Sequence, residues 1–162
     1  MADQPTFQIT VDDRLVEALF NRLPSAMATR IRQLVEGAAI DVQRQMRIVT
    51  PVGVTGQLRR AVRYSFNAAT LTAEIVPDID YAADVEQGTP PHYVSVSPGS
   101  SLRAWAMQKG LDPYAIQAKI AQRGTRKHPF VQPTYVLMKP KVENDIANGI
   151  TALVSEANDG RV

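Results

Sequence analysis

The sequence predicts an α+β fold in which a small antiparallel sheet, built on a central hairpin, packs against a long N-terminal helix and a C-terminal helix. Three observations predict it. Apolar residues recur at three- and four-residue steps from Met27 to Val49, strict alternation replaces that period after Leu58, and the helical period returns after Val136. No segment repeats and no shift in composition demands a second domain. The chain therefore reads as one α+β domain over residues 1–162, with a loop-and-short-helix excursion at about 89–124.

Phe7, Ile9 and Val11 alternate with Gln8 and Thr10, which predicts a short first strand. Asp12 and Asp13 offer an N-cap to a helix with Leu15, Val16, Leu19, Phe20 and Leu23 on one face, punctuated by Pro24 and Ser25. The long helix follows. Met27, Ile31, Leu34, Val35, Ala38, Val42, Met46 and Val49 make its apolar stripe, and Arg30, Arg32, Glu36, Asp41, Arg44 and Arg47 its other face. Pro51 ends it, because a proline pushes the residue before it out of the helical region.

Leu58, Val62, Tyr64 and Phe66 share one parity, and Leu71, Ala73 and Ile75 share another. Pairing Phe66 with Leu71 across a four-residue loop sets Tyr64 opposite Ala73 and Val62 opposite Ile75. The same register sets Arg63 opposite Glu74 and Ser65 opposite Thr72, so both faces are satisfied together. In this register Arg59 lies on the polar face. Arg60 shares the core parity and needs a partner of its own.

After Pro77 a turn of helix is expected, with Asp80 as its cap, Tyr81 and Val85 four apart, and Gly88 closing it. A Pro-, Ser- and Gly-rich loop follows, with an extended piece at Tyr93 to Val96. A short helix from Leu102 to Lys109 carries Trp105. Another opens on Asp112 with Pro113 at its first position and runs to Gly124. Residues 126–133 read as extended. The last helix carries Val136, Leu137, Val142, Ile146, Ile150, Leu153 and Val154, and Pro140 either kinks it or marks its start. Residues 89–124 hold few apolar anchors and are the segment expected to move.

Composition excludes several classes of chemistry. There is no cysteine, so disulfides, thiolate catalysis and cysteine-bound zinc are ruled out. The first residues lack the basic and apolar regions of a signal peptide, and no apolar run approaches the roughly 20 residues of a membrane helix. The glycines form no phosphate-cradling loop and no serine sits in a nucleophile elbow. No cofactor is expected. His92 and His128 read as solvated loop residues rather than metal ligands, and among Asp78, Asp80, Asp84 and Glu86 the first reading is a cap at Asp80 with the others facing water. Net charge is +2, with basic residues in two groups: Arg59, Arg60 and Arg63, then Arg123, Arg126 and Lys127. Such groups suit contact with nucleic acid or with an acidic subunit surface.

Three blocks then carry a family likeness: Pro51, Thr55, Gly56, Leu58 and Arg59; Tyr81, Ala82, Val85, Glu86, Gly88 and Thr89; and Trp105 followed by Gly124, Thr125, Pro129, Phe130 and Pro133. In that order they resemble the gene-product-ten-like neck or tail-completion proteins of tailed bacteriophages, which join head to tail. The likeness spans about residues 49–135. It departs at Gly53 and Val54, which lengthen the joint before Thr55, and at Thr134, where a small residue often follows the last proline.

The resemblance implies a non-catalytic structural protein of the virion, found in the neck or upper tail and in the host cytoplasm before assembly. It implies a homo-oligomeric ring, sixfold or twelvefold, that meets connector, tail-terminator or tail-tube proteins and has no membrane partner. Sequence-independent contact with DNA in the channel belongs to the same expectation. Arg59, Arg60, Arg123, Arg126 and Lys127 are the candidate subunit or DNA contacts, and the other motif residues are structural. The alternatives are a nucleic-acid-binding accessory protein using the arginine groups and, behind it, a metal-dependent hydrolase built on the acids or histidines.

Overall fold

A computed structural model describes residues 6–9 and 25–159. Strand β1 spans Phe7–Ile9, helix α1 Ser25–Val49, helix α2 Gln57–Ala61, strand β2 Val62–Asn67 and strand β3 Thr72–Pro77. Helix α3 spans Ala82–Gln87, α4 Ser101–Gln108, α5 Pro113–Arg123 and α6 Val131–Asn158. This is the expected α+β architecture. The helix expected over residues 12–23, and Val11 of the first strand, lie outside the described residues.

The sheet is antiparallel, in the order β1-β3-β2, so the second arm of the hairpin is its central strand. One face of it meets α1, and the core gathers there. Val35, Ala39, Val42 and Met46 of α1 lie against Val62, Ala73 and Ile75 of the sheet and against Phe130, Met138 and Val142, all of them buried. At roughly 1.5–3 kcal/mol for each large apolar side chain removed from water, this cluster is the main stabilising term.

Helix α1 ends where its proline dictates. Thr50 is buried, and its hydroxyl and its N–H both bond to the Met46 carbonyl, at 2.6 and 2.9 Å, which completes the last turn before Pro51. Helices α1 and α6 run antiparallel. Arg30 pairs with Glu156 near one end and Lys141 with Asp41 toward the other, at 3.5 Å. Between them Gly149 lets Leu34 come close, since a Cβ there would stand 2.6 Å from a Leu34 methyl. Lys141 also bonds Asp145 at 2.6 Å, and this bond above all holds its pKa above the ordinary lysine value.

The hairpin differs from expectation in register. Tyr64 pairs with Ile75, Phe66 with Ala73 and Val62 with Pro77, two residues from the predicted pairing. Asn67 decides the matter. It is the last paired residue of β2, and its side-chain oxygen accepts the N–H groups of Ala69 and Thr70 at 3.0 and 3.3 Å. Leu71 closes the turn at φ 50 with its side chain buried. A two-residue shift keeps every side chain on its face, so the alternation is satisfied in either register. Arg63 accordingly faces Val76, not Glu74, and its carboxylate partner is Asp78 at 3.7 Å.

Other boundaries are also corrected. Residues 57–61 form a helical turn, which Leu58 and Val62, four apart, satisfy as well as strand parity does. The cap of α3 is Tyr81, without a side-chain bond, so Asp80 does not fill that role. Tyr93 to Val96 form no strand. The last helix starts at Val131 and runs through Pro140, which is exposed. Its buried stripe is Val131, Thr134, Met138, Val142 and Leu153, whereas Val136 and Leu137 face outward.

Candidate functional site

The second and third motif blocks meet in space. Glu86, in the last turn of α3, reaches residues 44 to 46 positions further along the chain. Its carboxylate accepts the N–H groups of Phe130 at 2.7 Å, Val131 at 2.9 Å and Gln132 at 3.0 Å. An α-helix leaves the N–H groups of its first turn without partners inside the helix. At α6 the accounting is complete. Glu86 takes three, Pro133 has no N–H to offer, and the Thr134 N–H bonds back to the Phe130 carbonyl at 3.4 Å. The residue at the cap position, Phe130, is fully buried and brings no cap of its own. Glu86, expected to face water, is thus the remote N-cap of the longest helix.

Two glycine–threonine pairs lie beside it. Thr89 and Thr125 form an antiparallel bridge, with backbone bonds of 3.3 and 3.1 Å and their hydroxyls 2.8 Å apart. Gly88 and Gly124 precede them, both at positive φ, 77° and 69°. Neither tolerates a side chain. A Cβ at Gly124 would lie 1.9 Å from the Thr89 carbonyl oxygen, and one at Gly88 would lie 2.6 Å from that of Thr125. The His128 N–H bonds the Val85 carbonyl at 2.8 Å and extends the clasp toward α6.

The clasp closes the base of the excursion. Within it, Ser100 caps α4 and Asp112 caps α5, with its carboxylate 2.9 Å from the Tyr114 N–H. The two helices pack on each other, and Gln117 holds the loop through the Val94 carbonyl at 2.7 Å. Trp105 is half-buried, while Tyr93, Met107 and Tyr114 are more than 60% exposed.

The first basic group sits elsewhere. Gly56, at φ 63, opens α2, and both Arg59 and Arg60 are exposed on that single turn. Strand parity does not apply to Arg60, and its exposed position on a helical turn requires no partner. Arg59 lines an open groove of about 430 Å³ with Ile40, Gln43, Arg44, Arg47 and Ile48. Arg47 is already committed. Together with Gln43 it donates to the Val62 carbonyl, at 2.8–3.1 Å, and ties α1 to the start of β2. Pro51, Thr55 and Leu58 build this joint: Leu58 is buried, and the Thr55 hydroxyl accepts the Gln57 N–H at 3.4 Å.

The second group, Arg123, Arg126 and Lys127, borders the clasp. Arg123 ends α5, and Arg126 and Lys127 lie between Thr125 and His128, whose backbones are both pinned. All three side chains are exposed. The acids do not converge: Glu86 caps α6, Asp78 faces Arg63, and Asp80 and Asp84 are exposed. His92 is turned onto the Pro90 carbonyl at 2.9 Å. Among the described residues no group of three or more His, Asp or Glu is placed to hold a metal, and no helix is long and apolar enough to cross a membrane.

The remote cap has no positive signal in the sequence. Its signal is a missing one: Phe130 to Thr134 start a long helix with a proline at the third position and no Ser, Thr, Asp or Asn at the cap. Such a start requires an acceptor from another element. Comparison with family models, curated proteins and solved structures returns no match to this chain.

Proposed function

We propose that this protein is a non-catalytic structural component of a tailed-bacteriophage particle, placed at the neck or the top of the tail and assembling there as a ring. One observation supports the reading most. Residues 81–89 and 124–133, on which the resemblance largely rests, form one bonded unit through Glu86 and the Thr89–Thr125 bridge. The motifs thus behave as an architectural signature. The four acids a hydrolase would draw on do not converge, since Glu86 caps α6, Asp78 faces Arg63, and Asp80 and Asp84 are exposed, which weighs against that alternative. A ring closes by a contact between different surfaces of successive subunits. In this reading the outward apolar residues Ile48, Val136 and Leu137, each more than half exposed, serve that contact.

Electron microscopy of particles bearing a gold-labelled antibody against this protein tests the proposal. Label at the head–tail junction is expected, and deletion of the gene should leave heads and tails unjoined. Label spread over the capsid, or intact joined particles without the protein, would refute it.

A further inference from the structure

Charge is segregated along this chain. Between Thr89 and His128 lie six of its 18 lysines and arginines but only one of its 16 carboxylates, Asp112. The remainder of the chain carries an excess of acids. Asp112 is itself engaged in capping α5. The six cations are Arg103, Lys109, Lys119, Arg123, Arg126 and Lys127, and none has a carboxylate of the described residues within ion-pair distance. Every ion pair among the described residues is in the body.

The densest part of this charge is also the best held. Arg123 lies in the last turn of α5, where the Gly124 N–H closes on the Ile120 carbonyl at 2.8 Å. Lys119 is one turn earlier and on the same face. Arg126 and Lys127 follow on backbone packed against Gly88. The result is a basic ridge, close-set along the chain, on fixed backbone with solvated side chains; the rings of Tyr93 and Tyr114 are exposed elsewhere on the excursion.

We propose that the 89–128 excursion binds nucleic acid without sequence preference, through phosphate contacts by Lys119, Arg123, Arg126 and Lys127. The charge distribution carries this inference, which holds independently of the neck placement. An acidic face on a second copy of the chain is the competing partner, and the described residues supply it poorly. Asp41, Asp78, Glu143, Asp145 and Glu156 already pair with cations, Glu36 accepts the Tyr64 hydroxyl, Glu86 caps α6 and Asp159 is engaged as well, so Glu74, Asp80 and Asp84 would have to meet six charges. A phosphate backbone offers a regular row of charges instead, and releases its condensed counterions on contact.

Anisotropy of a labelled mixed-sequence DNA duplex, titrated with the full chain from about 50 to 200 mM NaCl, tests this. Each phosphate neutralised contributes about −0.9 to the slope of log K against log salt, so four contacts predict a slope of about −3.6. Arg123→Gln/Arg126→Gln/Lys127→Gln should flatten it to about −1, while Arg123→Lys/Arg126→Lys retains it. Arg63→Gln/Lys139→Gln, which removes two body cations, should leave the slope unchanged. Circular dichroism melts show that each variant is folded. Undetectable binding at the lowest salt overturns the proposal, as does a slope that survives the triple glutamine variant or follows Arg59→Gln/Arg60→Gln instead. Self-association in sedimentation that needs the ridge, in a protein that does not bind DNA, assigns the ridge to a protein partner and overturns it equally.

Discussion

Replacing Glu86 with alanine removes the acceptor from three backbone N–H groups at once, those of Phe130, Val131 and Gln132. A conventional N-cap lost to alanine costs roughly 0.5–2 kcal/mol, and a single hydrogen bond to a charged group contributes about 1.5–3. A carboxylate at a helix N-terminus adds about 0.3–1 kcal/mol through the helix dipole. Water can reach part of the site, so these do not sum; about 2–3 kcal/mol is the expected loss for Glu86→Ala. For a chain of this size that lowers Tm by roughly 4–12 °C. Glu86→Gln keeps one acceptor oxygen without the charge and should fall between, at a loss of about 1 kcal/mol. Urea melts followed by circular dichroism give the free energies. Amide exchange at Val131 and Gln132 should accelerate more than exchange in the sheet, because the lost bonds are local. If Glu86→Ala stays within about 0.5 kcal/mol of the parent, as ordinary surface substitutions do, the remote cap is not a stabilising device.

Gly124→Ala puts a Cβ against the Thr89 carbonyl at a backbone conformation, φ 69 and ψ −160, that is essentially restricted to glycine and alone costs roughly 1–3 kcal/mol. The clasp should open, and limited proteolysis within 90–123 should quicken while amide protection of β3 persists; an unchanged cleavage rate contradicts this. Phe130→Ala empties a fully buried site in the core and should lose about 3–5 kcal/mol in denaturant melts. Gly37 is exposed inside α1 with nothing within 4 Å of an added Cβ. Gly37→Ala should therefore stabilise by about 0.8–1 kcal/mol, read as a higher denaturation midpoint.

Elements governed by neighbours in the chain were legible. The α1 stripe, its end at Pro51, and the Asp112–Pro113 start and Gly124 end of α5 all follow from periodicity and local backbone preference. The start of α6 was less so. Thr134 is polar yet buried, since its hydroxyl bonds the Phe130 carbonyl at 2.6 Å. Apolar periodicity therefore does not find it and points instead to Val136 and Leu137, which face outward. Pro140 misled in the same direction. A proline inside a helix costs about 3 kcal/mol, and packing along α1 offsets that here. Similarly, alternation specifies which face a strand residue takes but not a two-residue shift, and the Asn67 turn chose between registers.

The sequence by itself determined the α+β class, the long helix, the existence and faces of the hairpin, and the residues of the motifs. Only the tertiary structure decided what those motifs do. Local preferences act over one turn of helix or one tight loop, whereas Glu86 satisfies donors 44 to 46 residues away and Gly124 is required by a carbonyl at Thr89. It also separated the two arginine groups: Arg59 and Arg60 became the exposed turn of a joint, and Arg123, Arg126 and Lys127 became a ridge on pinned backbone. Long-range contacts of this kind form once the chain has closed large loops, and no pattern in a short window encodes their partner.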